Sequence, residues 1–123
     1  VTSRRYMALR KATPASEAGE PLSAQNSSAF MRLIEESGRS GVHLTTETLK
    51  PSRRGRRYKN SKDGLRVSDG PFIETKELIA GYVVLRTDSL DDADRWARRY
   101  VETVDAEEAD LRELEDEAVP RSM

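Results

Sequence analysis

The sequence predicts an α+β fold, and three observations support that prediction. Segments with alternating or β-branched residues, such as 42–49 and 80–87, indicate strands. Apolar residues at helical spacing within 88–104 indicate an amphipathic helix with one buried face. A turn signal at 62–64 indicates a hairpin in the middle of the chain, with 65–68 as its return arm.

The bulk composition predicts one small domain. The chain has 123 residues, so a single domain over 1–123 with a core at about 4–115 is expected. Charged residues make up 35% and hydrophobic residues 36%, which leaves little material for a core. A domain of this kind gains stability by burying a face against a copy of itself, so a homodimer is expected.

Charge and cysteine content exclude several functional classes. The net charge of -1 predicts no strong general affinity for nucleic acid or membranes. The absence of cysteine excludes disulfides, thiol nucleophiles and thiolate metal sites. No apolar run is long enough for a membrane span or a signal peptide, so a cytoplasmic location is expected.

The remaining elements follow from local signals. Ser23 is a typical N-cap, and Gly38 and Gly41 are expected to end the helix that it starts. Asp88 or Ser89 is expected to cap the second helix. The expected first half is a strand at 4–10, a loop at 12–23, a helix at 23–37 with Phe30, Leu33 and Ile34 inward, and a strand at 42–49. The second helix is expected to bury Ala93, Trp96, Ala97, Tyr100, Val101 and Val104.

The stretch 50–62 carries seven basic residues and no acid. Such a run can follow phosphates, but Tyr58 is its one aromatic residue, which gives base stacking little support. A solvated hairpin beside the functional site explains the charge more simply, so nucleic-acid binding is the less favoured interpretation.

The segment 67–77 has the densest concentration of unusual chemistry. Asp69 and Gly70 form a turn signal, and Pro71 keeps Gly70 out of the helical region, so a strand, a rigid elbow and an inward Phe72 are expected. Charged residues next to such an elbow can bind a polar ligand or transfer a proton, or they can form a solvated rim. The charged residues are Asp69, Glu74, Lys76 and Glu77.

The run SDGPFIETKE, followed by the strand that Gly81 begins, resembles the signature of the DGPF proteins, a branch of the YCII-related family. The resemblance covers roughly residues 4–115 and implies a ferredoxin-like βαββαβ fold with an extra hairpin, paired as a dimeric α+β barrel. It also implies a closing strand at 109–114, where helix propensity over 107–118 favours a helix instead.

The resemblance implies a small polar ligand in a cleft beside the sheet. Asp69 and Glu74 are then the candidate acid–base groups of a cofactor-free elimination or isomerisation, while Gly70, Pro71 and Gly81 shape the elbow. The expected ligand-binding residues are Asp69, Phe72, Glu74, Lys76 and Glu77. The alternative is a non-catalytic regulator linked to an extracytoplasmic-function sigma factor, since genes for DGPF-like proteins often accompany those factors.

No cofactor is expected, because the chain lacks the glycine-rich nucleotide motifs and the common hydrolase and zinc motifs. His43 is the single histidine. A structural or exposed role is expected for it, because one imidazole without suitably spaced partners does not make a metal site.

Overall fold

The computed structural model describes residues 4–73 and 77–116. A four-stranded antiparallel sheet carries two long helices on one face. In chain order, a separate two-stranded hairpin follows one strand of this sheet and precedes the next. The elements in chain order are β1 (Arg4–Lys11), α1 (Pro14–Glu17), α2 (Ala24–Arg39), β2 (His43–Thr48), a 3₁₀ turn (Ser52–Arg54), β3 (Arg56–Ser61), β4 (Gly64–Asp69), β5 (Ile79–Thr87), α3 (Leu90–Thr103) and β6 (Ala109–Glu113).

The sheet has the strand order β2-β5-β1-β6. Without the hairpin β3–β4 and the short helix α1, the element order is βαββαβ, so the α+β, ferredoxin-like prediction is confirmed. The predicted strand at 80–87 is found as β5, in a central position between β2 and β1. Its alternate residues Val83 and Leu85 are fully buried, as expected for a strand covered by helices on one face.

The core lies between the sheet and the two long helices. Ala8 of β1 lies opposite Val83 of β5, and both pack against the helices. The fully buried Leu33 of α2 joins the same cluster. The cluster of buried residues is Ala8, Leu33, Val83, Leu85, Trp96, Ala97, Tyr100 and Val104.

Helix α3 follows the predicted pattern closely. The Ser89 hydroxyl caps it by accepting a hydrogen bond from the Asp92 amide at 3.2 Å. Five residues of the predicted face are buried and Val101 is half-buried, which confirms that Trp96 belongs to the core. The five are Ala93, Trp96, Ala97, Tyr100 and Val104.

Helix α2 departs from its prediction at one end. The Ser23 cap is confirmed, since its hydroxyl accepts from the Asn26 amide at 3.0 Å. The prediction that Gly38 ends the helix is wrong, because the helical hydrogen bonds continue through it to the Ser40 amide, which donates to the Glu36 carbonyl. Gly41, with φ of 81°, makes the turn that leaves the helix.

The closing strand is present as β6, so its prediction is confirmed. Its ladder with β1 runs from the pair Tyr6 and Glu113 to the pair Arg10 and Ala109. Backbone pairing with β1 therefore overrides the helical propensity of this segment. The loop predicted at 12–23 contains the additional short helix α1, which Thr13 starts through a reciprocal capping box.

Candidate functional site

The predicted hairpin forms a two-stranded ribbon, β3–β4, that is not part of the main sheet. All six residues of β4 are exposed, and Arg57 is the single half-buried residue of β3. Lys62 and Asp63 form the tip, and Gly64 has φ of 113°, a conformation that glycine adopts without strain. We call residues 56–69 the arm.

The chain leaves the arm through the Gly70-Pro71 segment, whose peptide bond is cis. A Cβ atom on Gly70 would lie 1.8 Å from the Ser52 carbonyl oxygen and 2.6 Å from its carbon. The Gly70 amide also donates to the Gly55 carbonyl at 3.0 Å. Only glycine fits this close approach, so the elbow depends on contact with the 3₁₀ turn as well as on its own sequence.

Ser52 connects three parts of the chain at the elbow. Its amide donates to a carboxylate oxygen of Glu17 at 2.8 Å, and its hydroxyl donates to the other oxygen of the same carboxylate. The Ser52 hydroxyl also accepts from the Phe72 amide at 2.9 Å. Arg53 adds a bond from its guanidinium to the Glu17 carbonyl at 3.2 Å. These bonds fix α1, the 3₁₀ turn and the elbow relative to one another.

Phe72 lies half-buried beside the base of the arm. The Arg57 guanidinium carbon stands 4.3 Å from the centre of the Phe72 ring, within the range of a cation–π contact. A Cβ atom on Gly55 would meet the same ring at 3.8 Å. The aromatic ring therefore rests between the 3₁₀ turn and the first strand of the arm.

These segments enclose a groove of about 410 Å³ at the end of the sheet. Its apolar surface combines side chains from the segment after β2 with side chains before and at the start of β5, and both segments also contribute charged groups. The apolar lining residues are Leu49, Pro51, Phe72, Leu78 and Ile79, and the charged ones are Glu17, Lys50, Arg54 and Glu77.

The structure brings two of the predicted ligand-binding residues, Phe72 and Glu77, to this groove. Asp69 lies outside the groove lining: its side chain is 80% exposed, and its carboxylate pairs with Arg56 at 3.3 Å across the base of the arm. Glu74 and Lys76 lie outside the described residues. The catalytic assignment of Asp69 and Glu74 therefore stays a prediction.

Gly81 lies in β5, two residues after Ile79, which lines the groove. A Cβ atom there would stand 2.9 Å from the Glu47 carbonyl oxygen and 3.0 Å from Nε of Arg10. The glycine thus leaves room for Arg10, whose side chain extends over the helix-covered face toward Tyr100. Burial is the main cause that raises the pKa of Tyr100, and the adjacent Arg10 opposes that rise.

His43 is exposed at the start of β2, whereas the groove adjoins the end of that strand. His43 and Thr48 are five residue steps apart along the strand, a distance of about 17 Å. Within ranges 4–73 and 77–116, no three potential metal ligands come together. No helix in those ranges is long and apolar enough to cross a bilayer.

Sequence reasoning missed Glu17 and Ser52. Their contact spans 35 positions in the chain, and neither residue lies in a periodic pattern or a recognisable motif. The useful local signal is the Thr13 capping box, which positions α1 and therefore its last residue, Glu17.

Comparison with known proteins gives one result. The family model for the YCII-related domain matches residues 4–113, a range that includes all six strands and three helices described above. No curated protein matches the chain.

Proposed function

Since the chain belongs to the YCII-related domain family, we propose that it binds a small molecule with an anionic group and an apolar part. The binding site is the groove between α1, the segment 49–55 and the segment 77–79. The observation that supports this proposal is the lining itself, in which an apolar surface is flanked by two cationic side chains.

The charges of the groove favour an anionic ligand. Lys50 and Arg54 both line it. The Glu17 carboxylate also lines the groove, but both of its oxygens already accept hydrogen bonds from Ser52. Glu77, the other lining carboxylate, can accept from a hydroxyl or amino group on the same ligand.

The size of the groove suits a small metabolite. About 410 Å³ falls in the range of roughly 300–1,000 Å³ typical of small-molecule pockets. Phe72 offers a flat apolar surface, and its own position is fixed through its amide and its contact with Arg57. A ligand with a planar or aliphatic body and one carboxylate or phosphate fits this chemistry.

A thermal-shift screen with small carboxylates and phosphorylated metabolites, followed by calorimetry, tests the proposal. Arg54→Gln is expected to weaken binding of a hit about tenfold, because a charge-assisted hydrogen bond is lost. Arg32→Gln, an exposed change on α2, is the matched control. Equal affinity of the two variants for the hit would contradict the site. A pull-down that recovers a sigma factor, with no ligand found in the screen, would favour the regulatory alternative.

Acid–base chemistry extends the proposal to Asp69, Glu74 and Glu77. Glu77 lines the groove, which supports its inclusion in this part of the proposal. Each carboxylate can be replaced by its amide in turn, and turnover of any ligand found in the screen can be followed by NMR. Loss of turnover with unchanged binding identifies the proton-transfer group; unchanged turnover in all three variants removes this part of the proposal.

We further propose that the protein is a homodimer formed through the sheet face opposite the helices. Met7 lies opposite Val84, and Leu9 lies opposite Tyr82, so alternation places these four half-buried residues on that face. An apolar surface of this kind is typical of an interface between copies. Val84→Asp is expected to produce monomers in sedimentation velocity, and an unchanged dimer would contradict the interface.

A further inference from the structure

The arm has two chemically different faces. Directly opposed residues of an antiparallel pair share a face, and Tyr58 lies opposite Val67 while Asn60 lies opposite Leu65. Tyr58, Leu65 and Val67 therefore form an apolar face, on which Tyr58 and Leu65 are each 61% exposed and Val67 is 51% exposed. The opposite face carries Arg57, Lys59 and Arg66.

Exposure of this apolar face to water is unfavourable for an isolated two-stranded ribbon. A two-stranded hairpin is marginally stable by itself in water, and exposed clusters of large apolar side chains typically mark interaction surfaces. At the base, the Arg56–Asp69 ion pair joins the two strands of the arm, and the contact between Arg57 and Phe72 holds the arm to the domain. The apolar face beyond these contacts is available to a partner.

The charge distribution indicates which partner fits. The segment 50–68 carries eight basic residues and one acid, whereas 102–116 carries eight acids and one base. The near-zero net charge of the chain is therefore the sum of strongly charged segments of opposite sign. Complementary surfaces of this kind guide association and fix its orientation.

Within one copy, one or two strands of the sheet lie between β6 and the strands that carry the arm. The arm is inserted between β2 and β5, while β6 is the edge strand on the other side of β1. With strands about 4.8 Å apart, β6 lies roughly 10 to 14 Å from the strands that carry the arm. Each segment also has a local ion pair, Arg56 with Asp69 and Lys11 with Asp110.

We infer that the arm clasps a second copy of the chain. The ribbon lies between two surfaces of that copy, so that its apolar face packs on one and its opposite, basic face meets the acidic segment 102–116 on the other. Under two-fold symmetry the contact forms twice, because the arm of each copy then binds the acidic segment of the other copy. This inference rests on the homodimer proposed above and adds a second contact to it.

Charge reversal tests the inference by sedimentation and native mass spectrometry. Arg66→Glu on the arm and Glu113→Lys on β6 are both exposed changes, so each variant is expected to fold. Each alone is expected to raise the dimer dissociation constant about tenfold or more, and a mixture of the two is expected to form heterodimers preferentially. Arg32→Glu, on the exposed surface of α2, is the matched control.

A second variant tests the apolar face. Leu65→Ser combined with Val67→Ser removes exposed side chains only, and it is expected to weaken the dimer by a further tenfold or more. A dimer unaffected by both sets of changes would overturn the arm inference while the sheet-face dimer survives. A wild-type monomer at all concentrations would reject the dimer proposal itself.

Nucleic acid is the competing occupant, since a basic ribbon has the width of a major groove. A short duplex shifted by wild type but not by Arg66→Glu, with dimerisation unchanged, would overturn the inference in favour of DNA. Dimer weakening without any duplex shift at low salt supports the second copy.

Discussion

Replacing Ser52 with alanine tests how the elbow is held. The change removes a hydroxyl that donates to the Glu17 carboxylate and accepts from the Phe72 amide at 2.9 Å. A hydrogen bond to a charged group contributes about 1.5–3 kcal/mol, and one between neutral groups about 0.5–1.5 kcal/mol. Both bonds are partly buried, so we expect a net loss of about 2 kcal/mol in the free energy of unfolding.

The loss is measurable by two independent methods. For a domain of this size, 1 kcal/mol corresponds to about 4 °C in Tm, so a fall of about 8 °C is expected in calorimetry. Hydrogen exchange gives a local readout, because the Phe72 amide loses its acceptor and should exchange faster. Ser28→Ala, an exposed change on α2, is the control and should leave Tm almost unchanged.

Ser52→Thr keeps the hydroxyl and is expected to recover most of the lost stability. If Ser52→Ala matches the Ser28→Ala control in Tm, or if exchange at Phe72 does not change, the hydrogen bonds do not hold the elbow. The groove wall would then not depend on these hydrogen bonds, although Ser52 and Phe72 both line the groove.

Three further changes probe the fold. Gly70→Ala is expected to lower the free energy of unfolding by about 2 kcal/mol or more in chemical denaturation, because its Cβ would overlap the Ser52 carbonyl; wild-type stability would contradict the close approach. Leu33→Ala, in the fully buried core, is expected to cost about 2–5 kcal/mol. Burial raises the pKa of Tyr100, so its stabilising contribution is present below about pH 10 and is lost above it. The Tm advantage of wild type over Tyr100→Phe should therefore shrink between pH 8 and pH 11, and a constant difference would refute the titration.

The site was predictable from the sequence only in part. The turn chemistry of Gly70-Pro71 and the aromatic Phe72 are local signals, and the structure places both beside the groove. The direction of the Asp69 side chain could not be predicted from neighbouring residues. It depends on the pairing of β3 with β4, which sets Asp69 opposite Arg56 at the exposed base of the arm. No periodic pattern reports which side of a short ribbon faces solvent when neither side is buried.

The sequence by itself determined those features that repeat along one element. Apolar spacing specified the buried face of α3, β-branched residues specified β5, and serine caps specified the helix starts. The tertiary structure alone decided the contacts that join distant segments, such as Glu17 with Ser52. It also made β6 an edge strand beside β1, while the basic arm is connected to β2 and β5. The physical reason is that periodicity and capping act over one or two turns of chain, whereas long-range contacts depend on how completed elements pack.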